Sequence, residues 1–183
     1  MQKINYFELL EEISLLSARA VFLASGSTRQ SLQKSLPECR ALQGQCAEKI
    51  CALEERLFTD FLPPLERRSI AEAAHGMGKI IDCSYKTIFL KLQRTGYDKR
   101  AKDQEASLKL MEILEESVAL LKKIKKPNQM PRAREFRDIL LTSRSSARPQ
   151  SKKQSPSTPY TQELCEELSD CFDKIIEIML CNI

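Results

Sequence analysis

The stretch that decides the fold is FLPPLERRSI, Phe61 to Ile70. Two adjacent prolines interrupt a chain that keeps a helical rhythm on both sides. Pro63 disfavours the α conformation at Leu62, and Pro64 does the same at Pro63, so a helix arriving from the amino-terminal side ends there. From Leu65 onward a new helix is free to start, with Glu66 in its first turn beside the positive end of the helix dipole. A tight corner of this kind lays two long helices antiparallel.

Outward from the corner, apolar residues recur at steps of four and three, the spacing that places them on one helix face. Leu9, Ile13, Leu16, Ala20 and Leu23 form a first stripe. Leu32, Leu36, Cys39, Cys46, Ile50, Leu53 and Leu57 form a second, interrupted at Gln43. A third runs through Ile70, Ala74, Met77, Ile81, Ser84, Ile88 and Leu92. Leu110, Leu114, Leu121 and Ile124 continue the rhythm, and Leu164, Leu168, Cys171, Ile175 and Ile178 close it. This spacing predicts a helical bundle.

Punctuation sets the boundaries. ASGST, Ala24 to Thr28, supplies a glycine stop and a Ser or Thr cap for the next helix. Pro37 either kinks the second helix or marks its start with Ser35 as cap; the reading leans to a kink. Gly96 breaks the chain again in RTGYD, with Asp98 as a cap. Lysines end a fourth helix near Lys126, and RAREFRDILLTS carries a short fifth. The segment 143–157 is polar and proline-rich without apolar periodicity and reads as a flexible linker. A last helix starts near Thr158, with Pro159 in its first turn. The expected order is three helices in residues 1–97 and three in residues 98–183.

Composition agrees with an all-α chain. Of 183 residues, 42% are hydrophobic and 30% charged, with five glycines and no tryptophan. A net charge of +4 is too mild to indicate a nucleic-acid binder. No apolar run approaches the roughly 20 residues needed to cross a bilayer. The opening MQKINYFELLEE is too acidic for a signal peptide, so a cytoplasmic protein is expected. The seven cysteines lack CxxC spacing, and one histidine makes a Cys/His zinc site a poor fit. Most of these thiols fall in apolar stripes and are expected to be reduced and buried.

The corner and its surroundings, ALEERLFTDFLPPLERRSIAEAAHGMGKIIDCSY, resemble the signature of PhoU-like proteins, in the branch of phosphate transport regulators or Pit accessory proteins. The corresponding residues are Phe61, Pro63, Pro64, Glu66, Arg67 and Ile70, then Gly78, Lys79, Ile80, Ile81 and Asp82. YTQELCEELSDCFDKI is similar to the closing helix of that family. The resemblance spans nearly the whole chain. It implies a PhoU-like fold of six helices in two antiparallel three-helix bundles, and a role in inorganic phosphate transport.

Related proteins collect metal ions on acidic Glu-x-x-x-Asp motifs, whose spacing sets two carboxylates on adjacent turns. Here Gln43, Gln45 and Ala47 stand where the second helix would carry acids. Gly78 and Lys79 stand in the third, leaving Asp82 alone. Glu166, Asp170 and Asp173 persist near the carboxyl end, but Arg132 and Arg134 occupy the fifth helix where an acid pair would be needed. No metal or other cofactor is therefore expected, with Glu166, Asp170, Asp173 and Asp82 as residual candidates. The plainer account of those acids is a solvated helix start.

No catalytic set emerges. His75 has no positioned acid or nucleophile by sequence, and no enzyme is expected. Between Lys122 and Lys153 lie eleven basic residues against two acids. Such a run is usually a solvated surface. Alternatively Lys122, Lys123, Lys125, Lys126, Arg132 and Arg134 contact a partner or the anionic inner face of the membrane. Few aromatics interleave them, so nucleic acid is not expected. Two functions stay open: a non-enzymatic accessory protein that docks to a phosphate transporter, and a helical adaptor or chaperone unrelated to phosphate. A homo-oligomer is compatible with either.

Overall fold

The computed structural model describes residues 6–26, 28–60 and 67–93, together with Leu108, Met111, Glu112, Glu115, Ala119, Glu167, Asp170 and Lys174. Three long helices dominate these residues: α1 (Tyr6–Ala24), α2 (Arg29–Thr59) and α3 (Arg67–Gln93). No strand occurs among the described residues. The chain is all-α. The Pro63-Pro64 and Gly96 corners, the 97/98 boundary, the 143–157 linker and most of the later helical stripes lie outside the described residues.

The first corner forms as its punctuation predicts. After α1, the Ser25 N–H donates to the Val21 carbonyl at 3.0 Å, and the Gly26 N–H to Leu23 at 3.3 Å. A Cβ on Gly26 would come within 2.8 Å of Ser31 Oγ and 3.3 Å of Leu32 Cδ2, so a larger residue here would have to displace those two side chains. Thr28 has an extended backbone, and its Oγ1 accepts the Ser31 N–H at 3.1 Å as an N-cap. Such a cap contributes about 1 kcal/mol. Lys91 closes the other side of this corner, donating from Nζ to the Ala24 carbonyl at 2.5 Å.

α2 continues through Pro37 as one helix of 31 residues, about 46 Å long at 1.5 Å per residue. The helix starts at Arg29, so Ser35 is not a cap; it is buried inside the helix. Pro37 is exposed, which leaves water to satisfy the carbonyl its missing N–H would have met.

The direction of each helix follows from the side chains that join them. Ascending α1 meets descending α2 at Tyr6–Asp60, Glu12–Lys49 and Arg19–Glu38. Descending α2 meets ascending α3 at Glu54–His75 and Gln43–Asp82. α1 and α3 run parallel, with Ser17 Oγ 2.9 Å from the Met77 carbonyl and Lys91 against Ala24. This is an up-down-up bundle in which every helix touches the other two.

That geometry explains which residues are buried. Leu10, Ile13, Leu32, Leu53, Ile70, Met77, Ile80, Ile81 and Ile88 are the large side chains removed from water. On α3 the expected row of Ile70, Ala74, Met77, Ile81, Ser84 and Ile88 is buried, and so is a second row of Ala73, Ile80, Cys83 and Thr87. A helix with two neighbours buries two rows. On α2 the stripe passes from Cys39 to Cys46 through buried Leu42, and Gln43 lies half-exposed beside it. Leu16, Leu36 and Leu92 are half-buried at the edge of the core. The buried hydroxyls of Ser84 and Thr87 donate to carbonyls four residues earlier, at 2.8 and 2.7 Å. Met111 is buried in this same core, and Leu108 packs against it.

Candidate functional site

The seam between α2 and α3 is where the two positions of the sequence motif meet. Gln43 Nε2 donates to Asp82 Oδ1 at 2.7 Å across the seam. Inward from that pair, Cys39 Sγ lies 3.9 Å from the Ile81 carbonyl. Cys46, two turns further along α2, faces Gly78. A Cβ on Gly78 would meet Ile50 Cδ1 at 3.2 Å and Cys46 Sγ at 3.8 Å, so the glycine lets the helices approach closely here. Lys79 is exposed beside it. Further along, His75 Nε2 pairs with Glu54 Oε1 at 2.7 Å at the surface.

The electrostatics of the seam oppose reactivity. Burial, then the Asp82 and Glu38 carboxylates, push the Cys39 thiol up to about 12. Burial and then Asp82 push Cys46 up to about 11. Both thiols stay protonated at neutral pH, which makes them poor nucleophiles. Cys83 is buried as well, while Cys51 is exposed, so burial holds for three of the four described cysteines. Among the described residues no three His, Cys, Asp or Glu side chains converge on a position that would hold a metal ion. Asp82 accepts an amide N–H on one oxygen, where a second carboxylate would have been needed to share a cation.

A second polar cluster closes the far end of the bundle. Tyr6 Oη donates to Asp60 Oδ2 at 2.5 Å and lies 3.2 Å from the Arg56 carbonyl. Arg56 Nε is 3.3 Å from Asp60 Oδ2, within reach of the charge, yet it is buried and its N–H is not aligned for a hydrogen bond. Arg67, at the start of α3, donates to the Asp60 carbonyl. One aspartate thereby ties the start of α1, the end of α2 and the start of α3. Nothing in the sequence pattern singles out this clasp, because Tyr6 lies 50 and 54 residues from Arg56 and Asp60.

Of the other candidates, Asp170 is exposed. Glu166, Asp173, Lys122, Lys123, Lys125, Lys126, Arg132 and Arg134 lie outside the described residues. Near Asp170 in sequence, Lys174 Nζ reaches Glu72 of α3 at 2.8 Å. Arg68 holds the other Glu72 oxygen at 2.7 Å. Hydrogen bonds from Lys174 and then Arg68 draw the Glu72 carboxyl down to about 2. No described helix is long and apolar enough to cross a membrane. No protein-family model and no curated protein matches the chain.

Proposed function

We propose that this chain is a non-enzymatic, PhoU-like accessory protein that regulates inorganic phosphate transport by docking to a transporter from the cytoplasmic side. The observation that carries the reading is the contact between Gln43 and Asp82. These two residues belong to separate segments that the resemblance assigns to one acidic site, and they lie 2.7 Å apart across a single helix seam. A helical hairpin turning near residues 60–67 sets these two positions opposite each other, and the contact is consistent with the resemblance. The six-helix arrangement, with a second three-helix group after residue 97, belongs to the same proposal.

An amide has replaced a carboxylate in this pair, so the working parts are helix faces rather than a bound ion. The bases from Lys122 to Arg134 supply the membrane-side contact, each contributing about 1 kcal/mol near an anionic surface. The test is in-cell cross-linking of the full chain, purification from native membranes, and phosphate uptake with the gene deleted. A phosphate permease among the cross-linked proteins and altered uptake are expected. Unchanged uptake with no permease captured overturns the reading.

One observation favours a second reading, a helical adaptor or chaperone without a phosphate role. Phe58 is 91% exposed on α2, and Leu15 and Phe22 are exposed on α1. Exposed apolar side chains that cluster mark surfaces that take up other proteins, and Leu15 and Phe22 lie two turns apart on one face of α1. Co-purification with unfolded or secreted clients, in place of a permease, would select this reading.

A further inference from the structure

The exposed ridge of α1 has a composition that its place in the bundle does not explain. Glu8, Glu12, Leu15, Arg19 and Phe22 follow one another at steps of four, three, four and three, so they share one line along the helix. All five are exposed. Leu15 is 55% exposed and Phe22 is 56% exposed. The opposite face of α1 already supplies the core through Leu9, Leu10, Ile13, Ala20 and Val21. On the side of α1 that the core does not use, Leu15 and Phe22 therefore stand in water among three charged side chains.

We infer that this ridge is a self-association face, docking antiparallel onto the same ridge of a second copy of this chain. The charge order selects that occupant. Acids lie in the amino-terminal half, Leu15 in the middle, and Arg19 with Phe22 in the carboxyl-terminal half. Rotation about a two-fold axis beside Leu15 brings Glu12 against the partner's Arg19 and Arg19 against the partner's Glu12. A parallel copy would set acid on acid and base on base. A partner of uniform charge would match only half of the ridge.

The pairs within each chain extend the match. Lys49 Nζ holds Glu12 Oε2 at 2.5 Å on one side of the ridge, and Glu38 Oε1 holds Arg19 at 2.7 Å on the same α2 flank. Across the dimer the order becomes Lys49, Glu12, the partner's Arg19, the partner's Glu38, alternating in sign throughout. The Arg19 guanidinium also lies 5.5 Å from the centre of the Phe22 ring, which holds both side chains along the ridge before association. One helix of 19 residues is about 28 Å long, so the contact is smaller than a standard interface. The dimer is accordingly weak and concentration-dependent. This inference does not rest on the phosphate reading.

The test is analytical ultracentrifugation of the full chain across the micromolar range. A monomer–dimer equilibrium is expected, weakened at least about tenfold by Phe22→Glu or Leu15→Glu, with unchanged helical circular dichroism. Independently of folding in those variants, bismaleimide cross-linking and peptide mapping locate the axis in a Cys51→Ser background. Leu15→Cys is expected to cross-link to itself between copies, and Phe22→Cys is not. A chain that stays monomeric at every concentration overturns the inference. So does a dimer indifferent to both glutamates, or one cross-linked between copies at position 22 and not at 15.

Discussion

Replacing Tyr6 by phenylalanine isolates the clasp at the end of the bundle. The ring stays, so packing of this 5% exposed side chain is retained, and only the hydroxyl is lost. That hydroxyl donates to an ionised acceptor at 2.5 Å, and hydrogen bonds to charged groups contribute about 1.5–3 kcal/mol. The Asp60 side chain is 30% exposed and keeps Arg56 beside it, so water and a cation recover part of the loss. We therefore expect the low end, about 1.5 kcal/mol, which for a chain of this length lowers Tm by roughly 3–6 °C.

The pH dependence gives the same substitution a second readout. Burial and then the hydrogen bond to Asp60 raise the Tyr6 hydroxyl from its ordinary value of 10.0 to about 12. The folded state holds this proton more tightly than the unfolded state does. The stabilisation is therefore complete below about pH 10 and is lost as pH rises through about 12. Tyr6→Phe lacks the titrating group, so its deficit against the wild type narrows across that interval. The other tyrosines are common to both proteins and drop out of the difference. Thermal melts followed by circular dichroism at neutral and at alkaline pH measure both effects. A neutral-pH Tm within about 1 °C of wild type, or a deficit that does not narrow with pH, would refute the clasp as the source of stability.

The seam and the core give three more expectations. In the native protein, maleimide labelling mapped by mass spectrometry should mark Cys51 and spare Cys39 and Cys46, whose thiols burial holds at about 12 and about 11; rapid native labelling of Cys39 would contradict the packed seam. Ile80→Ala, at a position removed from water between two neighbours, should cost about 2–5 kcal/mol in chemical denaturation; a loss below about 1 kcal/mol would mean that the second row of α3 is not core. Elemental analysis should find no stoichiometric transition metal, and chelator should leave Tm unchanged; near-stoichiometric iron or zinc lost on Asp82→Ala or Asp170→Ala would reverse the argument from Gln43 and Lys79.

Much of the bundle is legible in the sequence because the four-three spacing is a direct image of helix contact. The Thr28 cap and the Gly26 stop are local chemistry, and they fall where the residues predict. The second buried rows are harder to read. Leu10, Val21 and Ile80 fall outside the expected stripes and are buried all the same, because a single stripe records only one neighbour. Gln43 shows the limit clearly: Cys39 to Cys46 can be bridged at 42 or 43, and the apolar residue takes the inward place. Pro37 is ambiguous by sequence because its cost depends on whether water reaches the freed carbonyl. The Gln43–Asp82 bond and the Tyr6–Asp60 clasp depend on helix register between distant segments, which no local pattern fixes. The α1 ridge is visible as spacing, yet exposure distinguishes it from core only once the other face is known to be full.

The Gln43–Asp82 contact also bears on how this surface changes over generations. Glutamine and glutamate codons differ by a single base, so Gln43→Glu is an immediate mutational neighbour. At a separation of 2.7 Å two carboxylates do not both ionise freely: one retains its proton toward neutral pH, or a cation settles between them. The fold around the pair would need no rearrangement, since Cys39, Cys46, Ile50 and Gly78 pack beneath it without taking part. A seam that pairs an amide with a carboxylate is therefore one substitution from pairing two carboxylates. Asp82, holding an amide, keeps that route open.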